Sequence, residues 1–326
     1  MTRPPFSISA EAVNLIAEIS ALLERHNIIV GGDHGVTLRK VNRIKTIHSS
    51  LAIEGNTLSE EEVSDIVNGK LVVAPIREIQ EVKNAIRVYD AYSHLDPFSE
   101  KDLLKAHQIM MEALNDDAGR YRTGGVGVFG ESGLIHLAPP AERVPGLMSD
   151  LFSWLKDSND HLLIRSCVFH YEFEFIHPFS DGNGRTGRFW QSLILGRLNQ
   201  IFENLPVENM VYANQKAYYD AIAVSTKEGQ SGPFIDFMLN EILKVLKAGI
   251  KEVSDKVPNK VPNKTEIAVL KLLSADGGMT RVELAEKIGL TESGVKKILT
   301  NLKTAGWIVR RGGNKTGSWL VNYKVE

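Results

Sequence analysis

The sequence predicts a mainly α protein in two parts: a helical body carrying one β-hairpin, and a C-terminal winged helix. Three observations carry this. Apolar residues recur at helical spacing over most of the chain before Lys256. A glycine-rich stretch with interleaved apolar residues, Gly119 to Pro140, interrupts that pattern once. A repeated Lys-Val-Pro-Asn unit over 256–264 then separates the body from a compact basic tail.

The elements follow in order. Val13, Ile16, Ile19, Leu22 and Leu23 form one stripe of a helix over Ala10 to Glu24. A second helix, Val41 to Ile53, ends before Gly55-Asn56, a helix-stop dipeptide. Ser59 with Glu62 makes a capping box for Glu60 to Asn68. Helices over Ile76 to Leu95 and Glu100 to Leu114 come next. The glycine-rich stretch reads as a hairpin turning at Glu131-Ser132-Gly133. Helical spacing returns over Ala141 to Lys156, His161 to Phe175, Arg185 to Leu198, Asn214 to Thr226 and Pro233 to Lys251. Two prolines four apart cannot occupy a helix interior, so 256–264 reads as a linker. Beyond it lie a helix over Thr265 to Ser274, a capping box at Thr280 and Glu283, a turn at Gly289 and a third helix capped by Thr291. Strands at Trp307 to Arg310 and Trp319 to Tyr323 complete a winged helix.

Composition narrows the function classes. Apolar residues are 43 % and charged residues 24 %, which excludes disorder as the main state. The net charge of −2 is unevenly spread: 264–326 holds eleven Lys and Arg against six Asp and Glu, a net +5, leaving −7 on the rest. That asymmetry favours an anionic partner for the tail. Lys296 and Lys297 lie off its third helix's apolar face, Arg310, Arg311 and Lys315 decorate the wing, and Ser293 is within reach of a base edge. Protein contact or dimerisation is the other use of such a module, and a homo-oligomer is compatible with the sequence. The single cysteine, Cys167, excludes an internal disulfide and a four-thiolate metal site. No signal-peptide core or membrane-length apolar run occurs, so a cytoplasmic protein without membrane contact is expected.

Residues 177 to 188 carry the chemistry: His177-Pro178-Phe179-Ser180-Asp181-Gly182-Asn183-Gly184-Arg185-Thr186-Gly187-Arg188. Gly182 and Gly184 let backbone N–H groups converge on an anion, and the helix that follows adds its positive end. Arg185 and Arg188, three apart, share one helix side, so two guanidiniums flank the N–H nest. Asp181 suits Mg²⁺, which takes a carboxylate with phosphate oxygens. His177 suits a base near neutral pH. Together these describe group transfer at a nucleotide phosphate.

The string resembles the motif of the Fic/Doc family, HPFx[D/E]GNGRxxR, at every fixed position, in its adenylyl-transferring branch. The resemblance implies transfer of AMP from ATP, with Mg²⁺, to a Ser, Thr or Tyr hydroxyl of a target protein or of the chain itself. It makes His177 the base, Asp181 the metal ligand, and Gly182, Asn183 and Gly184 holders of the phosphates. Thr186 and Gly187 complete the ATP-binding segment, Arg185 takes the β-phosphate and Arg188 the γ-phosphate. The kinase branch carries Lys where Gly184 stands. The hairpin resembles the family's flap, whose free edge pairs with the target backbone, with Val126, Gly127, Val128, Phe129, Ile135 and His136 as target-binding residues. Its GxGxxG, from Gly125 to Gly130, precedes no helix and so makes a poor dinucleotide fingerprint. Tyr218 and Tyr219 fall where the family places aromatics near adenine; a core role suits them equally. The domain boundaries expected are an N-terminal helical region over 1–95, a Fic domain over 96–252, a linker over 253–263 and a winged helix-turn-helix domain over 264–326.

Ser50-Leu51-Ala52-Ile53-Glu54-Gly55 fits the family's inhibitory pattern, [S/T]xxxE[G/N]. A Glu at a helix C-terminus opposes the helix dipole, so Glu54 needs another reason for its place. Pairing with Arg188 supplies one, since it removes the γ-phosphate's partner. Three alternatives stay open: AMP removal with Glu54 orienting a water, transfer of another nucleotide or a phosphocholine group, and a DNA-binding regulator whose Fic region senses a nucleotide.

Overall fold

The computed structural model describes residues 3–29, 35–130, 133–203, 207–256, 263–304, 307–311 and 317–321. The chain divides into two compact units, Met1–Ser20 with Arg39–Val245 and Ala21–Leu38 with Leu246–Glu326. Helices are α1 (Ala10–Ile29), α2 (Gly35–Ile53), α3 (Glu60–Val67), α4 (Ile76–Asp90) and α5 (Glu100–Met110). The hairpin strands β1 (Gly127–Gly130) and β2 (Gly133–Leu137) follow, then α6 (Val144–Asp157), α7 (Leu162–Ile176) and α8 (Asn183–Leu198). The series ends with α9 (Val207–Ala213), α10 (Gln215–Glu228) and α11 (Gly232–Lys256). Of the expected linker, 253–256 continue α11 and 257–262 lie outside the described residues.

The first unit is built around α7 and α8. The α7 sequence, LLIRSCVFHYEFEFI, is apolar on nearly every side and is buried accordingly. Phe169, Phe173, Trp190 and Phe152 pack edge-on or stacked around it. The Trp190 indole N–H donates to the Pro97 carbonyl at 3.1 Å, so even this fully buried ring leaves no orphan donor. A second cluster, Ile44, Ile47 and Leu51 of α2 with Leu58, Val63, Val82 and Ala85, anchors α2 to α3 and α4.

Several boundaries differ from the pattern reading. α5 stops at Met110 rather than Leu114, because buried Asn84 takes the carbonyls of Met110 and Glu112 (3.1 and 2.7 Å) and Ala113 turns left-handed, φ 59°. α4 stops at Asp90, and a single 3-10 turn over Tyr92–His94 leads to extended Leu95. α1 and α2 are longer than expected, and α9 is absent from the pattern reading. The hairpin is antiparallel, with Gly127 opposite Leu137 and a bulge between Val128 and Phe129; Glu131 and Ser132 of its turn lie outside the described residues.

In the second unit, α12 (Lys264–Ala275), α13 (Arg281–Ile288) and α14 (Glu292–Thr304) precede β3 (Ile308–Arg311) and β4 (Ser318–Val321). Asn263 with Glu266 and Thr280 with Glu283 form complete capping boxes. Val269, Leu273, Leu284, Val295, Leu299 and Ile308 fill one core. The β3–β4 pair is antiparallel, and the Trp319 N–H of β4 donates to Gly277 O at 2.6 Å. A Cβ at Gly277 would strike the Trp319 backbone, so that contact requires glycine. This is the winged helix expected.

Trp190→Ala should cost about 3–5 kcal/mol, the range for emptying a large buried aromatic site. Leu71→Ser, at a fully exposed position, should stay within about 0.5 kcal/mol. Urea unfolding of both variants checks the contrast.

Candidate active site

The site is the turn that joins α7 to α8. α7 ends because His177 adopts the left-handed conformation (φ 49°, ψ 63°), which for a residue with a Cβ is strained. Gly182, also left-handed at φ 81°, starts α8. A Cβ there would meet Met111 Sδ at 2.5 Å. Between them, the Asn183 side chain closes the loop: Phe179 N–H donates to its Oδ1 (2.9 Å) and its Nδ2 donates to Phe179 O (2.8 Å). The first-turn N–H groups of α8 have no partner within the helix, as an anion nest requires, and the Gly182 N–H before them donates to Asp181 Oδ1 at 2.6 Å.

A buried histidine outside the motif supports this loop. Gly119 N–H donates to His107 Nδ1 at 2.9 Å, so Nε2 carries the proton and donates to Asp181 O, also 2.9 Å. The ring stacks on Phe179, centroids 3.5 Å apart. Burial pushes its pKa down to about 4, so it stays neutral and the tautomer is fixed.

The two arginines are held differently. Arg185 lies between Asp181 Oδ1 (3.3 Å) and Glu81 Oε1 of α4 (3.5 Å). One turn earlier on α4, Arg77 reaches Asp181 Oδ2 at 3.4 Å and pairs with Glu81. Arg188, 4 % exposed, donates to Glu54 Oε1 at 2.8 Å, to Ser50 O at 2.9 Å and, more loosely, to Ser50 Oγ at 3.4 Å. Burial works most strongly against its charge, but Glu54, with Tyr218 and Glu174 adding to it, raises the pKa above the usual arginine value. A Cβ on Gly184 would run into the Glu54 carboxylate and sit 2.9 Å from Arg188 Nη1. Gly55 allows the chain to leave α2 at φ 90° directly after Glu54. The sequence thus places Ser50, Glu54 and Arg188 together as their pattern implied.

Glu174 was not legible as a site residue. It is 6 % exposed, and its carboxyl Oε1 has no hydrogen-bond partner among the described residues. Its Oε2 lies 3.8 Å from His177 Nδ1, which also faces the Glu174 carbonyl at 3.4 Å. Burial raises its pKa to about 8, with Arg188 pulling it down and Glu54 pushing it up. The missing Cβ of Gly187 makes room for Glu174 Oε1. Glu81, Arg77 and His107 were equally illegible; only the i,i+4 spacing of Arg77 and Glu81 hinted at a pair, and it resembles any helix surface pair.

Tyr218 is buried among Phe234, Phe237 and Tyr219, and its hydroxyl lies 2.8 Å from His170 Nε2. Tyr219 is half-buried beside it. In the flap, Val126 and Gly127 are half-buried; the backbones of Val128, Phe129, Ile135 and His136 lie in β1 and β2, and their side chains lie outside the described residues. Lys296, Lys297 and Ser293 of α14 are exposed, and the Arg310 guanidinium sits over the Trp319 ring at 4.9 Å. The Arg311 side chain and Lys315 lie outside the described residues.

Comparison with known proteins finds relatives of the chain. A model of the Fic/DOC family matches residues 97–195, and a winged helix-turn-helix DNA-binding model matches 262–309. The crystal structure of a Fic family protein from Desulfovibrio desulfuricans aligns over 100 % of both chains, with 39 % identity and a TM-score of 0.75. The chain belongs to the Fic family. It is 30 % identical to the Caenorhabditis elegans protein adenylyltransferase fic-1 over 221 residues, 63 % of this chain and 41 % of that protein. It is 29 % identical to the Culex quinquefasciatus protein adenylyltransferase Fic over 230 residues, 66 % of this chain and 44 % of that one. The chain therefore spans less than half the length of these two curated relatives. No described helix of this Fic chain is long and apolar enough to cross a membrane.

Glu174 ties the site to pH. Folded, it keeps its proton up to about pH 8; unfolded, it releases it near its ordinary value of 4.5. Glu172, also raised by burial, does the same up to about 7. Between these limits the two carboxyls bind more protons in the native state than in the unfolded one, which makes stability fall as pH rises. His107 and His170, lowered by burial to about 4 and about 3, take protons only in the unfolded state below their ordinary 6.5 and oppose this there, so the fall of stability with rising pH belongs to the range above it. Urea midpoints should drop from pH 7 to pH 8, and Glu174→Gln should flatten that slope. A slope unchanged in the variant would contradict the assignment.

Proposed function

We propose that this Fic protein is a protein adenylyltransferase restrained by its own Glu54. It moves AMP from ATP to a Ser, Thr or Tyr hydroxyl of a target protein or of itself. His177 takes the hydroxyl proton, the oxygen attacks the α-phosphorus, and pyrophosphate leaves. Nδ1 of His177 faces the Glu174 carbonyl, which favours Nε2 as the basic nitrogen. Arg185 and Arg188, with the N–H nest of 182–184, hold the triphosphate.

Asp181 fits a Mg²⁺ site of the single-carboxylate kind: it is half-exposed at the mouth of the nest, and no cluster of three acidic, His or Cys ligands exists among the described residues. When bound, the ion would neutralise phosphate charge. The chain's contribution is to aim Asp181, through His107 on its carbonyl and Arg77 on its carboxylate.

The single observation that carries the restraint is the Glu54–Arg188 pair at 2.8 Å. While Glu54 holds Arg188, the γ-phosphate lacks its partner and the α-phosphate is out of line for attack. A second reading, AMP removal, rests on Glu54 being a third exposed, so that solvent reaches a carboxylate beside the site. The winged helix is read as a DNA contact through Lys296 and Lys297 of α14, whose exposed ammonium groups suit phosphates.

Incorporation of labelled AMP tests the proposal. Glu54→Gly should raise it about ten- to a hundred-fold, the worth of one charge-assisted hydrogen bond of about 1.5–3 kcal/mol. Glu54→Gly with Arg188→Ala should lose that gain. Adding His177→Ala to Glu54→Gly should cost about 10²–10⁴ in rate with ATP still bound. Equal incorporation by wild type and Glu54→Gly would remove the restraint, and release of AMP from a modified target by wild type alone would favour the second reading. For the tail, Lys296→Ala with Lys297→Ala should weaken retardation of duplex DNA and lower its salt dependence. Unchanged retardation would move the contact elsewhere.

A further inference from the structure

Arg122 is 3 % exposed and lies just before the hairpin. Burying a guanidinium is costly unless its donors are met. Among the described residues, every hydrogen-bond acceptor it finds is a backbone carbonyl, with Glu142 acting on it through charge alone, and the carbonyls come from three separate places. Nη1 donates to Gly124 O at 2.8 Å, on the entering foot of the hairpin. Nη2 donates to Pro139 O at 2.6 Å, on the leaving foot, and to Ile176 O at 3.2 Å. Nε donates to His177 O at 2.8 Å. The Arg122 N–H adds a bond to Pro178 O at 2.9 Å.

We propose that Arg122 is a positioning residue that fixes the distance between the flap and the base. Ile176 and His177 end α7, where carbonyls lack helical partners and a positive charge is favoured. The same guanidinium therefore holds His177 in its left-handed conformation and pins both feet of the hairpin to it. Its fork is planar, so the donors toward the two feet and those toward α7 keep a fixed relative geometry that an ammonium cannot reproduce. This deepens the transferase reading and rests on it: a target strand paired to the flap edge would present its hydroxyl at a separation from His177 set by Arg122. The donors of Arg122 are engaged by backbone carbonyls, and it is distinct from the arginines assigned to phosphate.

The test uses the full chain carrying Glu54→Gly, with Arg122→Gln or Arg122→Lys added, and Leu155→Ala as a core variant remote from the hairpin. Four quantities are measured: ATP affinity by calorimetry, labelled AMP transfer, amide exchange over 123–139, and the imidazole resonances of His177. Since a 1 Å misplacement at a reacting centre costs about 10²-fold, Arg122→Gln should lose about ten- to a hundred-fold in transfer. Its ATP affinity should stay within about twofold, as for loss of a group that acts only on the chemical step. Exchange in the hairpin should quicken and the His177 resonances should shift. Arg122→Lys should recover part of each, and Leu155→Ala should change neither the hairpin exchange nor the resonances. Parental transfer and exchange in Arg122→Gln, or the same changes in Leu155→Ala, would overturn the proposal. If the Glu54→Gly parent transfers no AMP, the transferase reading fails, while exchange and resonances still decide whether Arg122 clamps the hairpin to the base.

Discussion

A guanidinium cannot be buried bare, and Arg188 is buried. That constraint organises the centre of the first unit. The guanidinium donors need acceptors within hydrogen-bonding distance, and the chain supplies the Glu54 carboxylate from the far end of α2, with the Ser50 carbonyl and hydroxyl beside it. α2 can reach only because Ile44, Ile47 and Leu51 seat it on α3 and α4. Gly184 must lack a Cβ to leave room for the pair, and Gly187 must lack one to admit Glu174. Glu174, the second carboxyl near Arg188, remains protonated because burial dominates and Glu54 has already answered the arginine.

The loop beside it obeys a different constraint, which is shape. Two left-handed residues, His177 and Gly182, reverse the chain within six positions. Only Gly182 does this without strain, so His177 must be held from outside. Arg122 takes its carbonyl, and the Phe173 carbonyl takes its N–H. His107 supports the other side, and neutrality suits it: a protonated ring could not accept the Gly119 N–H while donating to Asp181. Burial ensures that neutrality. Rigidity of the 177–182 loop thus comes from side chains far away in sequence.

That distance explains what the sequence revealed and what it concealed. The capping boxes at Ser59, Thr280 and their partners three residues on, the stop at Gly289 and the apolar spacing of α7 are local, so they were legible. The string from His177 to Arg188 was legible because its groups lie within one loop and one helical turn. Ser50 and Glu54 were legible through a family pattern, since nothing local joins them to a residue 138 and 134 positions away. Glu81, Arg77, His107 and Arg122 act across comparable gaps and carry no local signature. α5 ended early because a buried Asn84 captured its carbonyls, a tertiary effect that overrides helical spacing. α9, seven residues long, was too short to show a period.

The two arginines differ in how strongly they are already committed, and this bears on what the proposed restraint acts upon. Arg185 is shared between Asp181 and Glu81 at 3.3 and 3.5 Å, contacts too long and too divided to hold it firmly. Arg188 is bound at 2.8 Å to a single carboxylate and at 2.9 Å to a carbonyl; both guanidiniums are buried, so the difference lies in their partners. An incoming triphosphate would therefore displace the partners of Arg185 at little cost and meet resistance at Arg188. On the transferase reading, the β-phosphate end is open while the γ-phosphate end is closed. Glu54 then acts less on whether nucleotide binds than on where its α-phosphorus lies relative to His177. Glu54 also sits at the C-terminal end of α2, where the helix dipole opposes a carboxylate. The pair with Arg188 is thus what offsets the unfavourable place of Glu54, and an anion approaching Arg188 has to compete with a bond already made.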